Sequence, residues 1–68
     1  MQRTACVTIR SADGRPFVYV TMAASLKEAV RDAVEWFNDP HWHGPKPRRE
    51  TVYEVSLVGD SRTWRTRA

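Results

Sequence analysis

The chain reads as a small α+β domain with the order β-β-α-β-(β), one amphipathic helix covering one face of a mainly antiparallel sheet of three or four strands. Three observations carry this reading. TACVTIR (Thr4 to Arg10) and TVYEVSLV (Thr51 to Val58) alternate with period two. Asp13-Gly14 sits between the first alternating run and FVYVTM (Phe17 to Met22), as in a tight hairpin. Ser25 to Phe37 carries its apolar residues at the helical period.

In the first strand Ala5, Val7 and Ile9 share one face, and Cys6, Thr8 and Arg10 the other. The second strand is less clean, because both of its faces carry apolar side chains. Ala5, Val7, Ile9, Val18, Val20, Met22, Tyr53, Val55 and Leu57 form the expected inward set. That leaves Phe17 and Tyr19 outward, on the side of Cys6, Thr8, Val52, Glu54 and Val58.

The helix opens at Ser25, with Glu28 three residues on, in the pattern of a capping box. Steps of 100° put Leu26, Ala29, Val30, Ala33, Val34 and Phe37 on one stripe, with Trp36 at its edge. Asn38-Asp39-Pro40 stops it, since the residue before proline avoids helical dihedrals. NDPHWHGPKPRRE (Asn38 to Glu50) has no apolar period and connects the helix to the third strand. Gly59-Asp60 turns the chain, and RTWRTR (Arg62 to Arg67) reads as an edge strand or an ordered tail. Pairing the third strand beside the first gives the order 2-1-3-4, in which every neighbour is antiparallel.

With 68 residues the expectation is one domain, residues 1–68, with a small core. The single cysteine, Cys6, rules out an internal disulfide and suits a reducing, cytoplasmic compartment. The chain has neither the long apolar run of a membrane span nor a signal-peptide pattern at residues 1–10. Charge is uneven. Five basic residues balance five acidic ones through His43, whereas six basic residues face three acidic ones afterwards. This favours an anionic partner without requiring one.

No catalytic constellation is visible: no Gly-rich phosphate loop, no G-x-S-x-G and no H-E-x-x-H. The leading expectation is a non-enzymatic binding module without a cofactor. It associates with itself, as a homodimer, or with a protein partner through the sheet face the helix leaves open. Phe17, Tyr19, Val52 and Val58 are its expected anchors, with Cys6 and Thr8 beside them. The alternative is a nucleic-acid binder using Lys46, Arg48, Arg49, Arg62, Arg65 and Arg67, with Trp64 or Trp42 stacking on bases. A third reading is weak metal binding at His41 and His43, which at i,i+2 supply two of the three or four ligands a metal site needs. The more economical reading there is that Trp42 plugs the core while both histidines face water.

Overall fold

The computed structural model describes residues 2–67. The elements are β1 (Arg3–Arg10), β2 (Pro16–Ala23), α1 (Leu26–Phe37), β3 (Val52–Leu57) and β4 (Thr63–Arg67). The four strands form one antiparallel sheet in the order β2-β1-β3-β4, and α1 packs on one side of it over β2, β1 and β3. RTWRTR therefore supplies an edge strand.

α1 begins where its chemistry directs. Ser25 is extended, and its hydroxyl accepts from the Glu28 N–H at 3.1 Å, satisfying one of the donors a helix start leaves free. Ala29, Val30, Ala33 and Phe37 are buried, against Ala5, Val7, Ile9, Tyr53 and Val55 of the sheet. At the other end Asn38 closes the helix, its backbone and side-chain N–H groups donating to Val34 O at 3.1 and 2.9 Å.

The connector closes the end of the core. Trp42 meets Phe37 edge-on at 5.3 Å and Phe17 at 5.7 Å between ring centroids, and its indole N–H donates to Pro45 O at 3.0 Å. Lys46 then ties the connector down, its ammonium donating to Asp39 O and Trp42 O at 2.7 Å each.

The hairpin corrects one expectation. β1 and β2 pair as Ile9 with Phe17, Val7 with Tyr19 and Ala5 with Thr21. Phe17 and Tyr19 therefore lie on the helix side, half-buried against the core, while Val18, Val20 and Met22 face away from α1, each more than half exposed. The physical cause is the turn. The expected inward set requires a two-residue Asp13-Gly14 loop. Instead the Gly14 N–H donates to Ser11 O at 2.9 Å, the Ser11 N–H donates to Arg15 O at 3.0 Å, and only Gly14 takes a positive φ, +87°. This is a three-residue loop, a tight turn followed by a left-handed glycine. The shorter loop would pair Ile9 with Val18; the extra residue slides β2 by one, and a slide of one exchanges its two faces.

Candidate functional site

The open side of the sheet is built from alternate residues of all four strands. Across it run the rows Met22–Thr4, Val20–Cys6–Ser56–Thr63 and Val18–Thr8–Glu54–Arg65, with Val52 beside Arg67 at one end. Val58, directly after β3, joins the Met22 end, where its N–H donates to Thr4 O at 3.0 Å.

The surface is thus graded from strand to strand. β2 is apolar: Val18, Val20 and Met22 are 56%, 57% and 51% exposed. β1 and β3 are mostly small and polar, with Thr4, Cys6, Thr8 and Ser56 half-buried between neighbours. β4 carries Arg65 and Arg67. The acid between the two halves is Glu54, which accepts from Arg10 Nε at 3.0 Å and lies 3.5 Å from Arg65 Nε. The Arg10 hydrogen bond, reinforced by the charges of Arg10 and Arg65, holds the Glu54 carboxyl below its ordinary range.

The expected anchors divide on this map. Cys6, Thr8, Val52 and Val58 lie on the open side, Phe17 and Tyr19 on the other. Val52 and Val58 stand at opposite ends of β3, about 20 Å apart for an extended run of that length, and so form no common patch. The apolar surface belongs to β2. The sequence signal for it was present, since an unbroken FVYVTM must show apolar groups on both faces, but the choice of face depended on one residue of loop length.

The six basic residues expected for a phosphate surface are dispersed. Lys46 is bound to backbone carbonyls of the connector. Arg62 clasps Asp60 at 3.0 Å and lies 4.9 Å over the Trp64 ring, on the helix side of β4. Arg65 and Arg67 share the open side, and Arg48 and Arg49 are exposed on the connector. A hollow of about 540 Å³ beside Arg10, Lys46 and Arg48 is also lined by Glu50 and Glu54, whose charge opposes an anion. A second hollow, about 700 Å³, separates α1 from β4, with Val30, Val34, Val55 and Trp64 below Lys27 and Arg31.

His41 binds back to Asp39, its backbone N–H donating to Oδ1 at 2.8 Å and its ring Nδ1 lying 3.0 Å from the same oxygen. Among the described residues no three His, Cys, Asp or Glu side chains are grouped to hold a metal ion. Nor is any described helix long and apolar enough to cross a membrane. No family model, curated protein or solved structure matches the chain.

Proposed function

We propose that the chain is a non-catalytic binding module that engages protein, a second copy of itself included, along the β2 side of its open sheet face. The observation that carries this reading is the row Val18, Val20 and Met22, three adjacent apolar side chains of one strand, each more than half in water. Single exposed apolar residues are ordinary, whereas a contiguous row bordered by polar side chains is characteristic of contact surfaces. Thr4, Cys6 and Thr8 supply that border. The lone thiol of Cys6, half-buried on the sheet, fits a reducing, cytoplasmic setting.

The test compares what wild type and a V18T/V20T/M22T variant retain from source-cell extract. A partner held by wild type and lost by the folded variant is the expected result. Identical recovery by both, together with a wild type that does not self-associate, would remove the reading. A second reading, nucleic-acid binding, is favoured by Arg10, Arg65 and Arg67 all standing on the open side, and oligonucleotide titration at low salt separates it from the first.

A further inference from the structure

The two edges of the sheet are built differently. At β4 the outward row carries Arg65 and Arg67, and cationic side chains on an edge strand discourage pairing with another strand. At β2 no charged residue occurs between Arg15 and Lys27. Eight residues of uncharged, extended strand there have no neighbour on the outer side among the described residues.

The free backbone groups of β2 can be identified. The Thr4 carbonyl accepts from Val58 N–H, so Thr4 turns its polar groups toward β3 and away from Met22, its partner in β2. Antiparallel pairs alternate between bonded and non-bonded kinds. Phe17, Tyr19 and Thr21 therefore bond to β1, while Val18, Val20 and Met22 direct N–H and C=O outward. Pro16, which has no N–H, falls in a non-bonded pair, where β1 asks no donor of it. The three residues with exposed apolar side chains are thus the ones that turn both N–H and C=O to the open edge.

We infer that β2 pairs antiparallel with β2 of a second copy, making one eight-stranded sheet across a two-fold axis. The proline limits the register. With the axis at Val20, Val20 faces the partner's Val20 and Val18 faces the partner's Met22, giving about six ladder bonds. Moving the axis to Val18 sets each Pro16, which has no donor, opposite a Val20 and leaves about four bonds. On the helix side Trp36, 45% exposed, stacks on Tyr19 beside this edge. α1 lies mainly over β2, so the two helices would come within packing distance across the axis. Asp32 on that side is held by the Thr21 hydroxyl at 3.5 Å.

The pairing also completes the proposed contact surface. A row of three apolar side chains at the margin of one sheet becomes a central band of six, flanked on both sides by Thr4, Cys6 and Thr8. The use of that band rests on the binding reading above, but the pairing is measured on the protein alone. Two such edges with Trp36 beside them bury on the order of 1,000 Å² in total, the lower limit for a specific interface, so the dimer is concentration-dependent.

The experiment combines light scattering across a dilution series with amide hydrogen exchange. Wild type is expected to pass from dimer to monomer on dilution, with the Val18, Val20 and Met22 amides protected only in the dimer. V20K sets two ammonium groups opposite each other, and the dissociation constant is expected to rise about 10-fold or more. T63K, on the β4 edge, leaves it unchanged. A wild type that stays monomeric near millimolar concentration overturns the inference, whatever the extract experiment shows. So does a dimer in which those three amides exchange freely, since face-to-face stacking leaves the edge open. The amide readout needs no variant, so the inference stays testable even where V20K fails to fold.

Discussion

Tyr19 stacks on Trp36, ring centroids 5.6 Å apart with 20° between the planes, and so belongs to the helix side of the sheet. That contact places every residue of β2. Tyr19 also meets Phe37 at 6.3 Å, and two positions back Phe17 meets Trp42, so an aromatic row on β2 packs along the helix and the connector. Its neighbours Val18 and Val20 are left to the open side.

The first prediction contrasts adjacent positions. Tyr19→Ala removes a stacked, half-buried ring and is expected to cost about 2–3 kcal/mol, below the full value for a completely buried aromatic. Val20→Thr keeps the β-branched shape at an exposed site and is expected to change monomer stability by less than about 0.5 kcal/mol. Urea denaturation at a concentration where the protein is monomeric measures both. A larger loss at Val20 than at Tyr19 would mean that the two faces of β2 are exchanged.

The fold was legible in the sequence because most elements carry redundant signals. α1 is specified by a cap, an apolar stripe and a stop, and β1 and β3 each alternate apolar with polar residues. The strand order followed from requiring antiparallel neighbours. The contact surface was less legible. β2 has no polar phase to mark its outer face, so its orientation rests on the loop alone, and Asp13-Gly14 is compatible with loops of two or three residues. Choosing the three-residue loop depends on the pairing of Ser11 with Arg15, and local composition does not show it. The destinations of Lys46 and Arg62 were likewise out of reach, because each is set by a hydrogen-bond partner and not by its charge.

Gly44 gives a second prediction. It has an ordinary φ, yet a Cβ there would run into the six-membered ring of Trp42. That ring is fixed by Phe17, Phe37 and the bond to Pro45 O, so it has little room to yield. Gly44→Ala is expected to destabilise by about 1–3 kcal/mol, the range for overpacking, although alanine usually stiffens a loop favourably. The shift of the thermal midpoint, with Trp42 emission moving toward that of a water-exposed indole, measures it.

Asp60 carries the pH prediction. Arg62 donates to it from its guanidinium and from its backbone N–H, lowering the carboxyl from an ordinary 3.8 to about 2. A carboxyl lower in the folded state than in the unfolded chain adds stability above about pH 4, which is lost as pH falls toward 2. Asp60→Asn is expected to flatten the stability profile between those values, and Arg62→Gln to return the Asp60 midpoint toward 3.8, as followed by the carboxyl carbon in NMR. A midpoint already near 3.8 in wild type would show that the Arg62 clasp does not form.

Salt dependence separates the two readings of the basic residues. Each phosphate neutralised on duplex DNA contributes about −0.9 to the slope of log K against log salt. Arg10, Arg65 and Arg67 share the open side, and Arg10 and Arg65 are partly neutralised by Glu54. Any duplex binding through this face is therefore expected to show a slope no steeper than about −2.7, a loss of at most about 40-fold between 50 and 200 mM salt. Engagement of Lys46, Arg48, Arg49 and Arg62 as well would bring the slope to about −6. Lys46 would first have to leave the Asp39 and Trp42 carbonyls, and Arg62 to leave Asp60, opening both the connector and the β3–β4 turn. A steep slope without a change in Trp42 emission would contradict that arrangement, because the connector would then be giving up Lys46 while keeping its tryptophan in place.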